Sequence, residues 1–392
     1  MVQPMSPAPA PPLRFAFGGM AALAVAMGIG RFVYTPILPG MMEQLGLSAG
    51  DAGLIASANY LGYLVGALAA AGGWAHGRER LPMLFWLAAS AALCALMAAT
   101  ENFVLFLAIR FLAGFASAFV MVFVSSIVFS RLAAAGRDDL QAVHFGGVGA
   151  GIAASSAMMA LLIAADADWR AGWIGAGVLS VFGFAATALL VDRGPAANGA
   201  SGKEPALPRD RPLALTIAAY GLFGFGYIVT ATFLIAIVRQ GGFSHLFETM
   251  VWLATGLAAL PSVFFWNAVA VRLGFAKAFG VGCVVEAVGV AASVSLGGQA
   301  GPLLGGALLG GTFVGLTALG LRAGRMLAPN SPRRVLALMT AAFGLGQIVG
   351  PIAAGFAAEW TGDFVLASVG AALVLLVAGA VALASAGAPK SP

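Results

Sequence analysis

The chain has 392 residues, of which 61% are hydrophobic and 9% charged, with a net charge of +5. A soluble domain carries roughly 25% charged residues, so the composition excludes a soluble globular protein and indicates an integral membrane protein. Membrane-spanning strands would alternate apolar and polar residues; here the apolar runs are continuous and about 20 residues long, the length of a spanning helix.

The first fourteen residues, "MVQPMSPAPAPPLR", are Pro-rich and polar and read as a disordered tail, 1–14. They do not resemble a cleaved leader, because the apolar run that follows is too long and has no small-residue cleavage pattern. That run, 15–42, is the first expected span and contains "GIGRFVYTPILPG". A cation at mid-membrane costs about 2.5–3.5 kcal/mol on insertion scales, so Arg31 requires a reason. Pro36 and Pro39 follow it and remove helical hydrogen bonds. Two explanations are open: Arg31 meets an anionic group in a water-filled cavity, or it bonds carbonyls freed near the prolines or snorkels outward.

Further expected spans are 51–74, with Asn59 and Tyr63; 81–99, with Cys94; 102–130, with Arg110 and Gly114; 141–165, with His144; and 170–191. A Pro-, Gly- and charge-rich stretch at 193–212 reads as a linker. Beyond it come 213–238, with Tyr220, Tyr227 and Thr230; 246–271; 277–296, with Cys283 and Glu286; 301–321; 334–358, with Gln347; and 364–387, before a short tail at 388–392. The two cysteines lie in apolar runs and read as buried small hydrophobes. No disulfide framework, metal-ligand spacing or cofactor motif is present, so no metal and no cofactor are expected.

Basic residues set the direction of these spans. With the N-terminus in the cytoplasm, the cytoplasmic side holds Arg14, Arg78, Arg80, Arg131, Arg137, Arg193, Lys203, Arg209, Arg211, Arg272, Lys277, Arg322, Arg325, Arg333, Arg334 and Lys390. The outer side holds only Arg170 and Arg239, and Arg31 and Arg110 remain within spans. Both termini are therefore expected in the cytoplasm. The positive charge follows this bias and does not indicate nucleic acid.

The two halves resemble each other. "GIGRFVYTPIL" from Gly28 aligns with "GFGYIVTATFL" from Gly224, and "GVGAG" from Gly147 with "GLGQI" from Gly344, at nearly the same offset. The expected fold is all-α and integral to the membrane, with twelve transmembrane helices in two pseudo-symmetric six-helix bundles, 15–192 and 213–387.

These segments, together with "GGTFVGLTALGL" and "FGLGQIVGP", resemble the major facilitator superfamily and its YbfB/YjiJ-like branch. "IRFLAGFASA" is similar to the superfamily's Arg-x-x-x-Gly motif, here Arg110 and Gly114. "DWRAGW" is similar to its Trp-Arg start of the sixth helix. The chain departs from the pattern after the second helix, where His76, and Val271 in the second half, stand at the position of the usual Asp. The resemblance implies a secondary active transporter working by alternating access, with the first, fourth, seventh and tenth helices lining its cavity. Its neighbours would be the lipid bilayer, a small-molecule substrate and, if coupled, protons, and it would act as a monomer in a bacterial inner membrane.

Candidate substrate-binding residues are Arg31, Tyr34, Asn59, Tyr63, Tyr220, Tyr227, Thr230 and Gln347. Candidate coupling or gating residues are Arg110, Gly114, Glu286, His144, Arg80 and Arg272. Arg31 favours an organic anion as substrate; drug or sugar-like efflux is the alternative. For each uncharged polar group, an interhelical hydrogen bond is the plainer role. A membrane-embedded enzyme lacks support, since there is no H-E-x-x-H, no nucleophile with a plausible base and no carboxylate pair in a span. A transport-inactive receptor has no appended signalling domain to support it.

Overall fold

A computed structural model of the chain describes residues 11–71, 75, 77–192 and 204–387. The expectations placed on the tails at 1–10 and 388–392, on His76 and on the linker at 193–203 lie outside these residues.

The described chain folds into helices, and counting one bent pair as a single span gives twelve. They are α1 (Pro12–Leu45), α2 (Ala49–Ala70), α3 (Arg80–Met97), α4 (Phe103–Ala134), α5 (Asp138–Ala164), α6 (Trp169–Leu190), α7 (Arg211–Gln240), α8 (His245–Ala259 and Ser262–Leu273), α9 (Phe275–Ser295), α10 (Ala300–Leu327), α11 (Pro332–Thr361) and α12 (Val365–Gly387). Side-chain caps start several of them. Ser48 and Asp51 form a reciprocal capping box, and Asn102, Asp168, Asp210 and Ser244 each accept from a first-turn amide. These caps satisfy donors that helix starts leave open.

The sequence suggested an unbroken eighth span, whereas α8 bends by 47° between its two parts. Pro261, between them, has no N–H to donate to the Leu257 carbonyl, and the ladder ends at the Leu260 N–H to Gly256 O bond. Helices α4, α7, α10 and α11 run 28 to 32 residues, longer than the apolar runs alone suggested, because their ends carry polar residues beyond the expected core.

Helices α1–α6 form one half and α7–α12 the other. The halves meet where α2 packs on α11, α5 on α8, and the second part of α1 on α7. Small residues let the backbones approach closely: a Cβ on Gly149 would lie 2.6 Å from the Gly256 carbonyl oxygen, and one on Gly256 2.5 Å from Ala153 N. Because the helices alternate in direction, α1 begins and α12 ends at the same face of the bundle. That face is the termini end, and the opposite face is the far end.

Candidate functional site

The site begins with a defect in α1. Its helix is regular to Leu23, widens to a π-helix over Ala24–Ile29, and passes through a turn at 30–33 before resuming at Tyr34. Pro36 has no N–H for the Phe32 carbonyl, which accepts from Thr35 instead at 3.2 Å. The carbonyls of Gly30 and Arg31 are left without helical partners. Arg110 on α4 supplies them: Nη1 donates to Gly30 O at 2.9 Å and Nη2 to Arg31 O at 3.0 Å. Arg110 is 1% exposed, and its guanidinium lies 5.2 Å from the Tyr34 ring and 5.6 Å from the Trp173 ring. The arginine that caps the broken helix is therefore Arg110, not Arg31.

Arg31 has a different environment. Its guanidinium carbon sits 4.2 Å from the Tyr63 ring centroid, 5.0 Å from Tyr60 and 5.6 Å from Phe32. These rings shelter the charge; a desolvated cation–π contact contributes about 2 kcal/mol. Arg31 is 3% exposed, and its Nε and Nη2 are buried with no hydrogen-bond partner among the described residues. Tyr63 is half-buried. Tyr60 meets Thr232 of the other half, with 3.3 Å between hydroxyl oxygens.

The facing wall belongs to the second half. Phe32 meets Phe313 of α10 edge-on at 5.5 Å. Phe313 lies parallel to Tyr227 at 5.8 Å, and Tyr227 parallel to Phe343 at 5.6 Å. Tyr220 stacks on Phe343 at 4.8 Å and donates its hydroxyl to Thr317 O. Gln347 Nε2 donates to the Tyr227 hydroxyl, while Gln347 Oε1 and the Thr230 hydroxyl have no partner among the described residues. Glu286 on α9 is fully buried beside Thr312 of α10, and neither of its oxygens has a hydrogen-bond partner among the described residues. The Thr312 hydroxyl is engaged by the Leu308 carbonyl at 2.6 Å.

The candidates separate into groups. Arg31, Tyr63, Tyr227 and Gln347 border the contact between the halves, and Tyr220 extends their aromatic column. Tyr34 and Asn59 belong with Arg110: Tyr34 donates to Ala52 O at 3.0 Å, and Asn59 Nδ2 donates to Arg110 O at 2.9 Å. Gly114 sits where α4 crosses α2, and a Cβ there would collide with the Asn59 carbonyl. His144 links helices: its Nε2 is 3.0 Å from Ser125 Oγ on α4, and its ring fills the space beside Gly19 of α1. Arg80 donates to the carbonyls of Val191 and Ala188 at the end of α6, both at 2.8 Å. Arg272 is exposed at the end of α8.

The sequence reading missed the far-end lock. Arg239 of α7 holds Glu248 of α8 through Nε and Nη2, and its Nη1 reaches Glu43 of α1, in the other half, at 2.7 Å. Ser48 donates to Glu359 across the same seam at 3.1 Å. Arg239 was one of two basic residues on its side, a signal that could have marked it. Tyr60, one helical turn before Tyr63, was also missed, as were Phe32, Phe313 and Phe343, which composition alone cannot distinguish from core.

The family model described as "Uncharacterised MFS-type transporter YbfB" matches residues 23–383. Among solved structures, the nucleoside transporter NupG is similar over 96% of this chain and 99% of its own, with 15% identity and a TM-score of 0.71. A bacterial homolog of the human lysosomal transporter Spinster, in an inward-facing and unoccupied conformation, is similar over 95% and 96%, with 12% identity and a TM-score of 0.71. At such identities the likeness is one of fold. No curated protein matches. The chain belongs to the YbfB-type major facilitator family: it is a multi-pass membrane transporter of small molecules, not an enzyme.

Proposed function

We propose that this major facilitator protein is a secondary active transporter that carries a small organic anion by alternating access, with Arg31 as the anion clamp. The observation that carries this is the Arg31 guanidinium, buried where the halves meet, with Nε and Nη2 unpartnered. A buried charge without partners is costly, and an anionic substrate would supply both the charge and the acceptors. The halves are tied together at the far end by Glu43–Arg239 and Ser48–Glu359, and half-buried Tyr63 leads toward the termini end. Rocking of the halves about their glycine-lined contacts would reverse this.

The termini end faces the cytoplasm of a bacterial inner membrane; its surplus of arginine supports this orientation. Protons are the coupling ion, with Glu286 as carrier. Glu286 is the acid buried within α9, and neither of its oxygens has a hydrogen-bond partner among the described residues. The protein acts as a monomer.

The test measures melting temperature and anion affinity on the same purified samples of wild type, Arg31→Lys and Arg31→Gln. Lys keeps the charge without the fork, and Gln removes the charge. Affinity is expected to fall moderately in the first and severely in the second, with stability near wild type. A well-folded Arg31→Gln protein that binds with unchanged affinity overturns the clamp.

A further inference from the structure

The unpartnered atoms of Arg31 are specific ones. Nε and Nη2 lie on one edge of the guanidinium and form a fork that matches the two oxygens of a carboxylate. The protein uses this same edge twice elsewhere. Arg137 grips Asp139 through Nε and Nη2, both at 2.8 Å, and Arg239 grips Glu248 in the same way. On Arg31 one face is covered by Tyr63, while the forked edge is buried and unfilled.

Charge limits the ligand further. Arg110, the other cation within the spans of this half, has both terminal nitrogens on the carbonyls of Gly30 and Arg31 and sits among Tyr34 and Trp173. One guanidinium is thus available, and a second negative charge on the ligand would be buried unpaired.

The surrounding wall limits the ligand's body. Phe32, Phe313, Tyr227 and Phe343 pack ring against ring in a column that adjoins the Arg31 cage through Phe32, and such a column favours flat apolar groups by stacking. Unpartnered polar atoms on this wall are few, Gln347 Oε1 and Thr230 Oγ1. A polyhydroxylated body would lose more hydrogen bonds to water than it regains.

We propose that the substrate is an aromatic monocarboxylate, held by a two-oxygen fork on Arg31 Nε and Nη2 with its ring against Phe313 and Tyr227. This rests on Arg31 as the anion clamp. The experiment measures binding of four probes to the purified full-length protein in nanodiscs by calorimetry: benzoate, cyclohexanecarboxylate, terephthalate and gluconate. Wild type, Arg31→Gln and Arg31→Lys are compared. Benzoate is expected to bind at least about tenfold more tightly than the other three, a difference of about 1.4 kcal/mol. Its binding is expected to be lost in Arg31→Gln and weakened in Arg31→Lys. Equal or tighter Arg31-dependent binding of terephthalate, gluconate or cyclohexanecarboxylate overturns the substrate class and leaves the clamp standing. Absence of Arg31-dependent binding by all four probes overturns the clamp and the class together. If Arg31→Gln fails to fold, the wild-type ranking and Arg31→Lys decide the class.

Discussion

Thr35 donates its hydroxyl to the Ala231 carbonyl at 2.6 Å, and the two residues are 196 positions apart. That separation is the offset at which "GIGRFVYTPIL" aligns with "GFGYIVTATFL", so the bond joins equivalent positions of the two halves. The same offset pairs Arg31 with Tyr227. One copy of the repeat presents a cation at this depth and the other an aromatic phenol, and the helix that carries the cation is broken here whereas its partner α7 is continuous.

Arg110 holds a broken helix, which predicts a structural defect on its removal. Hydrogen bonds to charged groups contribute about 1.5–3 kcal/mol each. Arg110→Ala should lower the melting temperature markedly and abolish transport of charged and neutral solutes alike. Arg110→Lys, able to reach one carbonyl well, should fall between. A wild-type melting temperature in Arg110→Ala would remove the carbonyl cap as its role.

Gly114 and Gly62 set the α2–α4 crossing, where added side chains would meet the carbonyls of Asn59 and Phe111. Overpacking typically costs about 1–3 kcal/mol, and backbone gives less than a side chain. Gly114→Val should therefore reduce folded yield and melting temperature, while Arg31→Gln leaves both near wild type. Size-exclusion profiles and thermal melts on both proteins compare them directly.

Glu43 carries the part of the far-end lock that crosses between the halves. Its side chain is 55% exposed, so the bond contributes about 0.2–1 kcal/mol. Glu43→Gln should shift the population toward a far-end-open state by up to about fivefold. Spin labels at Gln44 and Gln240 would report longer distances, since Cys94 and Cys283 are buried and stay unlabelled. Glu248, 2% exposed and paired within its own half, should cost stability when changed to Gln.

Among the described residues Glu286 has neither a cation nor a hydrogen-bond partner. If it is the proton carrier, Glu286→Gln, which mimics the neutral acid, should fold normally and still bind substrate. Proton uptake or release on substrate binding, followed with a dye in weak buffer, should disappear. Unchanged proton exchange would assign coupling to another group.

Glu204 provides a pH test outside the membrane. Partial burial raises its carboxyl, but hydrogen bonds from the Arg333 side chain and the Arg333 and Arg334 amides outweigh this and hold it below the usual carboxylate range. A depressed value means stability that is present above about pH 4.3 and lost as pH falls through the folded value. Glu204→Gln should thus melt with a shallower decline between about pH 5 and pH 3.5 than wild type. Equal slopes would show that the contact does not persist in solution.

The sequence by itself determined the class of fold. Continuous apolar runs can satisfy their backbone in lipid only as helices, and their number and repeat offset sufficed for two six-helix halves. It also marked Arg31 and Arg110 as anomalies, because a cation in a span is costly wherever it points. Which arginine caps the open carbonyls, and which keeps Nε and Nη2 without a hydrogen-bond partner among the described residues, was decided only by the tertiary structure. The open carbonyls of Gly30 and Arg31 lie on α1, and Arg110 reaches them from α4, 80 and 79 residues away. Sequence spacing carries no information about that distance. The aromatic wall and the Glu43–Arg239 lock were hidden for the same reason: the first forms where α7, α10 and α11 pack and the second where the two halves meet, and the apolar or exposed character of a single residue does not say which neighbour it will meet.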